Sequence, residues 1–400
     1  MNKGIEIYDC NMPLDISTEE VFWEEIRQSY RLKPDYINLE NGYYCIIPEG
    51  TLEKYIENIR EINYQGAWYF RNEQIDNKKK IAAKLAELLD CPADELIITR
   101  NTTESLDAII NGFDWKAGDE VVMAEQDYPF MLEMFTQTAR RYGIVNKLVS
   151  IPFNPQSDEE IVEVYSNAIT DKTRLIMVCH IINITGQILP IRKICDMAHS
   201  QGVQVLVDGA HAVAHFKFNI PDLHCDYYGS SLHKWLGAPL GAGMLWMKKE
   251  NISRIWPLFA PEDKGLNDIT RHNHIGTHPA FTDITIADAI DLYLKIGPER
   301  KEKRLRYLSS YWMDKVKHLK NIILYTPSDP TRYCGIAVVG IKGIDANEMA
   351  DILLIKYRIY TVAVDFARIN GCRITPNVYT AIYELDLLVE ALTEIATNME

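Results

Sequence analysis

Short apolar runs recur through the first part of the chain, with amphipathic segments between them. LIIT (96–99) is followed by a helix-like TESLDAIINGF. DEVVMAE (119–125) precedes a helical stretch over 130–142, and KLVSIP (147–152) precedes one near 158–169. RLIMVCHI (174–181) precedes one near 191–200, and VQVLVDGA (203–210), DYYGSS (226–231) and GAGMLWM (241–247) complete the series. Strands of near-continuous apolar character, separated by helices, predict an α/β fold with a mostly parallel sheet covered on both faces.

The flanks read differently. Ser17 with Glu20 forms a capping-box pattern ahead of VFWEEIRQSY. Helices are predicted over 50–65 and 73–89. After about residue 295 a long charged helix (298–319) comes first. GIAVVGI (335–341) and IYTVAV (359–364) then alternate with a helix near 345–357, and an amphipathic helix ends the chain. The expected organisation is an N-terminal segment (1–35) packing with the small domain, a large α/β domain (36–295) and a small α+β domain (296–400).

Composition narrows the class. A chain of 400 residues exceeds one ordinary core. The formal net charge of -14 argues against nucleic-acid or anionic-membrane partners, which require a basic face. The start, MNKGIEIYDCNMPLD, has no apolar signal core, and the longest near-apolar stretch, 235–247, is too short for a bilayer. Eight Cys are scattered with no CxxC pair. Free thiols in a reducing cytoplasm are therefore expected.

The candidate chemistry falls at strand ends, where ligands gather in parallel α/β sheets. Asp208 closes the run VQVLV, and Lys234 follows 26 residues later, in SSLHKWLGAPLG. Asp208 alone is equally an Asp-Gly turn. Lys234 has apolar or small neighbours, Leu232, Trp235, Leu236, Gly237, Ala238 and Pro239. That setting favours a desolvated amine of lowered pKa. An Asp facing a pyridinium and a Lys holding an aldehyde as a Schiff base are what pyridoxal phosphate (PLP) requires. Thr102 and Thr103 open a helix after LIIT, which suits a phosphate and equally suits plain N-capping. No Walker A or GxGxxG pattern is present.

The order of these motifs resembles that of the fold-type I PLP enzymes. Within them it resembles the class V aminotransferase group, with isopenicillin N epimerase-like and cysteine desulfurase-like members. The likeness runs from NLENGYY (38–44) to RITPNVYTAIYELD (373–386), through TRNTTESLDAI, AEQDYP, HIINITGQILPI, VDGAHAV, SSLHKWLGAPLGAG and HIGTHPA. It implies a catalytic Schiff-base Lys234 and a pyridinium partner Asp208. It implies phosphate ligands Thr102 and Thr103, with Ser231 and His233 beside them. His211 and Asn183 correspond to residues near the PLP 3-hydroxyl, and Tyr128 to the residue stacked on the ring. Gly276 and Thr277 resemble the loop that reaches the neighbouring subunit's phosphate, which implies a homodimer with a shared active site. Arg373 matches the Arg that takes the substrate carboxylate, a role suited to its bidentate fork. Asn41 lines the substrate site in this reading, although its Asn-Gly pair equally makes a turn. His272, His274 and His278 have no convergent carboxylate or Cys spacing, so no metal is expected. Trp68, Tyr69 and Phe70 read as core rather than as a substrate wall.

The expected chemistry is at Cα of an α-amino acid, with epimerisation or transamination as the main reading and β-elimination of the C–S lyase type as the alternative. A non-catalytic PLP-binding sensor or assembly protein is the reading from another class. Desulfurases carry a nucleophilic Cys on a loop before the carboxylate Arg. Here IYTVAVDFARINGCRIT has no Cys over 362–365, and Cys372 would point opposite to Arg373 in a strand.

Overall fold

The computed structural model describes residues 15–260 and 264–398. Strands β1 (Leu96–Thr99), β2 (Glu120–Ala124), β3 (Val145–Val149), β4 (Thr173–Cys179), β5 (Gln204–Asp208), β6 (Tyr227–Ser231) and β7 (Gly243–Met247) form one sheet. Their order is β1-β7-β6-β5-β4-β2-β3. Neighbours are parallel except at β7, which runs antiparallel to both β6 and β1. Val122, Val178 and Val207 pack into one layer, and Val121, Met177 and Leu206 into the other. Successive side chains point to opposite faces. Both faces are covered, so these strands are apolar throughout rather than alternating.

Helices α1 (Glu20–Arg27), α2 (Glu49–Gln65), α3 (Ala67–Asn72) and α4 (Gln74–Leu88) precede the sheet. Helices α5 (Thr102–Gly112), α6 (Pro129–Tyr142), α7 (Asp158–Ser166) and α8 (Ile191–Ser200) connect its strands. Then come α9 (Ala280–Ile296) and α10 (Pro298–Val316). Sequence reasoning missed α9. It is apolar on most faces because it packs against α2 and α4, so it lacks the polar stripe that marks a surface helix.

A second, antiparallel sheet follows, from β8 (Ile322–Leu324), β9 (Ala337–Ile341), β10 (Val362–Phe366) and β11 (Ile369–Ile374), in the order β10-β11-β9-β8. Its core side is covered by α10 together with α11 (Ala346–Tyr357) and α12 (Ile382–Thr397), through Leu308, Trp312, Leu353, Leu385 and Leu388.

Two expectations need correcting. No capping box forms at Ser17. Its hydroxyl donates to Asp15 at 2.9 Å, and the Glu20 carboxylate is drawn to the buried Arg304, so α1 begins without a side-chain cap. The run at 359–364 is not one strand. Ile359–Tyr360 pairs in parallel with Ile37–Asn38, and the chain then joins the four-stranded sheet from Val362. The segment expected to dock as residues 1–35 is described from Asp15 onward. There Phe22, Trp23 and Ile26 of α1 pack with Trp235, Leu305 and Ile336, and Arg27 pairs with Glu384 of α12 at 2.7 Å. Residues 1–14 lie outside the described residues.

Candidate active site

The carboxyl ends of β4, β5 and β6 open into a cavity of about 440 Å³. The first turn of α5 and the strand β10 close its sides. Asp208 is the last residue of β5 and is buried. Its Oδ1 accepts the Ala210 N–H at 2.9 Å. Burial pushes its carboxyl above the usual range, opposed by that hydrogen bond and by Lys234. Among the described residues no cation lies within ion-pair distance of it. A buried carboxylate in that state suits a cationic ring nitrogen.

Lys234 lies on the turn after β6, half-buried at the cavity floor. Burial lowers its amine to about 8, with the Arg373 cation adding to the effect and Asp208 opposing it. Its Nζ is 3.1 Å from His211 Nε2. Burial holds His211 well below its ordinary value, and the positive charges of Lys234 and Arg373 reinforce this. His211 is therefore neutral.

At one side Thr102 opens α5. Its N–H donates to Ser231 Oγ at 2.9 Å, and the two hydroxyls are 2.8 Å apart. Thr103 also lines the cavity, so a helix N-terminus faces the space with hydroxyls around it. His233 lines the same side. Its Nδ1 is 3.2 Å from the Ala242 carbonyl oxygen, and burial lowers it to about 4. Tyr128, at the N-cap of α6, lines the cavity half-buried. Asn183 lines it too, and among the described residues its buried Oδ1 has no hydrogen-bond partner. This acceptor waits for a donor from whatever fills the cavity.

Arg373, on β11, lies at the far side from α5 and is nearly buried. Its Nη2 donates to Glu40 Oε1 at 2.7 Å and its Nε to Oε2 at 3.3 Å, while Nη1 reaches the Asn183 carbonyl oxygen at 3.2 Å. Gly42 lies against this guanidinium. A Cβ there would stand 2.9 Å from Cζ and would push the guanidinium away from its position against Glu40. Sequence reasoning did not single out Glu40. The only sequence signal is an acidic residue inside LENGYY, 333 residues from its partner.

Three of the sequence-derived residues are not at this cavity. Asn41 is fully buried, and its amide is spent on Thr375 at 2.7 Å and on the Tyr379 hydroxyl at 2.6 Å. Its neighbours Gly42 and Tyr43 line the cavity instead. Gly276 and Thr277 are exposed on the loop before α9. Cys372 is fully buried beneath Ala346, opposite to Arg373, as the strand alternation predicts. Val362, Ala363, Val364 and Phe366 of β10 give the cavity an apolar wall. Tyr69 packs in a small cluster with Ile62 and Ala280, with Phe70 against it, but Trp68 is exposed and is not core as expected.

The family model for aminotransferase class-V matches residues 50–363. The chain belongs to the class-V aminotransferase family. A similar protein is the isopenicillin N epimerase of Streptomyces clavuligerus, 25% identical over 387 residues, covering 92% of this chain and 97% of the relative. A probable cysteine desulfurase of Halalkalibacterium halodurans is 27% identical over 272 residues, covering 65% of each. Among solved structures, a C-DES variant with glycine covalently linked to the PLP cofactor superposes with a TM-score of 0.84. It is 21% identical over 92% of this chain and 99% of that one. The fold is thus that of the fold-type I PLP enzymes. Members of the class-V family use PLP, and this chain is an enzyme of that family. The buried carboxylate of Asp208, the orphaned acceptor of Asn183 and the lowered amine of Lys234 fit that cofactor.

Proposed function

We propose that this class-V family protein acts at Cα of an α-amino acid, by epimerisation or transamination. The observation that carries the reading is the Lys234 amine at the cavity floor, lowered to about 8, between Asp208 and the Arg373 end. When bound, PLP supplies an aldehyde for amines and a ring that takes up the electrons of a broken Cα bond. Lys234 would hold the cofactor and would move the Cα proton at Nζ. Asp208 would pair with the ring nitrogen and would favour its protonated form. Thr102, Thr103, Ser231 and His233 hold the phosphate. Asn183, His211 and Tyr128 hold the ring, and Arg373 takes the substrate carboxylate with the edge that Glu40 leaves open. Asn41 braces the segment that carries Gly42 and Tyr43 rather than touching substrate. The apolar wall of β10 lacks a thiol, which disfavours persulfide formation.

The seven- and four-stranded sheets, with α10 between them in the chain, support a division into a large and a small domain. Gly276 and Thr277, exposed and not lining their own cavity, would serve the phosphate of a second copy in a homodimer. The seven described cysteines are free, which supports a reducing cytoplasm. Among the described residues no helix is long and apolar enough to cross a membrane.

The test is a panel of amino acids in deuterated water, following Cα–H exchange, keto acid, and released thiol or ammonia separately. Exchange with inversion, or keto acid without released ammonia or thiol, is the expected result. Thiol or ammonia release assigns β-elimination instead. PLP attachment without any exchange supports a non-catalytic PLP-binding protein.

A further inference from the structure

Trp235 directly follows Lys234 and is buried. Its indole Nε1–H donates to His211 Nδ1 over 3.2 Å. An indole nitrogen only donates. His211 Nδ1 must therefore accept, and the ring proton of the neutral imidazole sits on Nε2. That nitrogen faces Lys234 Nζ at 3.1 Å. A proton on Nε2 requires a lone pair on Nζ, which only the neutral amine offers. The other tautomer would set two N–H groups against each other at the indole. So would an imidazolium, which would also place a third positive charge beside Lys234 and Arg373.

The indole is itself held. Its ring stacks on His215 with centroids 3.7 Å apart and planes 15° apart. The Gly335 N–H donates to His215 Nε2 at 2.7 Å, so His215 Nδ1–H donates to the His211 carbonyl oxygen at 2.8 Å. A Cβ at Gly335 would stand 2.9 Å from both His215 Nε2 and Trp235 Cη2. The Trp235 carbonyl accepts from the buried Lys301 amine. Both histidines behind Lys234 thus have their protons assigned by partners that cannot exchange roles.

We propose that Trp235 is a positioning residue that locks His211 as an Nε2–H donor. The locked donor holds the Lys234 amine neutral and aimed at the cavity. His211 is then a permanent donor at this site and never the proton acceptor. This rests on the reading of Lys234 as the cofactor lysine, but its primary readout needs no cofactor.

The experiment is ¹⁵N NMR of the cofactor-free, histidine-labelled full chain, with His211 assigned through His211→Gln. A pyridine-type Nδ1 and a pyrrole-type Nε2 are expected at about pH 9, above the Lys234 midpoint of about 8. Trp235→Phe keeps a ring against His215 and removes the donor. It should shift the His211 tautomer ratio toward Nδ1–H by roughly tenfold. It should also raise the pH midpoint for capture of added PLP by Lys234. The other groups felt by Lys234 and His211 stay in place in that variant: Asp208 on β5, Arg373 on β11, Glu40, Cys45, His215 and His233. An Nδ1–H or imidazolium His211 in the unsubstituted protein overturns the lock, whether or not the variant folds. So does a folded Trp235→Phe protein with unchanged His211 signals or an unchanged midpoint. Failure of PLP attachment in the unsubstituted protein, with the expected tautomer present, removes the Lys234 reading and so overturns the lock's role toward the cofactor.

Discussion

The floor of the cavity draws Asp208, Ser231 and Lys234 from the ends of adjacent strands β5 and β6 and the turn after them. The opposite end draws Glu40 from the N-terminal segment, the Asn183 carbonyl from the loop after β4, and Arg373 from β11. Glu40 and Arg373 are 333 residues apart in the chain. Strand pairing places Asp208 and Ser231, and short-range contacts around the following turn place Lys234. The Arg373 end exists only where two distant parts of the chain pack together, and a buried ion pair binds it. The floor should therefore govern chemistry, and the Arg373 end should govern substrate binding and global stability.

The sharpest break is Lys234→Ala. It should abolish the visible PLP band and slow Cα–H exchange by at least about 10²–10⁴-fold, while denaturant unfolding changes little. A band that survives would remove the division. Glu40→Ala should have the reverse signature. It strands the Arg373 cation in a nearly buried site, and losing one partner of such a pair costs about 3–5 kcal/mol. Urea unfolding of the cofactor-free protein would read this, and a loss under about 1 kcal/mol would show that solvent reaches the pair. Arg373→Lys keeps the charge and loses the fork. We expect KM for the amino acid to rise about 10-fold or more, with the PLP band unchanged.

The pH dependence tests the floor alone. The nucleophile is the neutral amine, and Lys234 is lowered from 10.5 to about 8. Attachment of PLP to the cofactor-free protein should speed up as pH rises through about 8 and level off above it. A rise centred near 10.5 would mean that the amine is solvated. The smallest effect belongs to Cys372→Ala. Its thiol is fully buried on the side opposite to Arg373, so turnover should stay within about twofold while stability falls by about 1 kcal/mol. A large loss of turnover would return a thiol mechanism to consideration.

Legibility in the sequence followed the same division. The run LIIT is β1 residue for residue, and the other strands of the large sheet overlap their apolar runs. Asp208, Lys234 and the Thr102–Thr103 turn were readable because each ends or follows such a run. Arg373 was reached through resemblance, and the direction of Cys372 through strand alternation. Helix α9 was hidden because burial on most sides erases periodicity. The capping box at Ser17 failed because Arg304 took the Glu20 carboxylate.

The amino-acid sequence by itself determined the α/β class, the strand ends and the residue types gathered at the cavity. Those follow from local periodicity and from the rule that parallel strands present their carboxyl ends to ligand. Only the tertiary structure decided that Glu40 faces Arg373, that Asn41 turns inward to Thr375 and Tyr379, and that Trp235 assigns the proton of His211. These choices depend on groups brought within about 3 Å across long stretches of chain. Hydrogen-bond direction and burial then select the partner, and no local pattern encodes either.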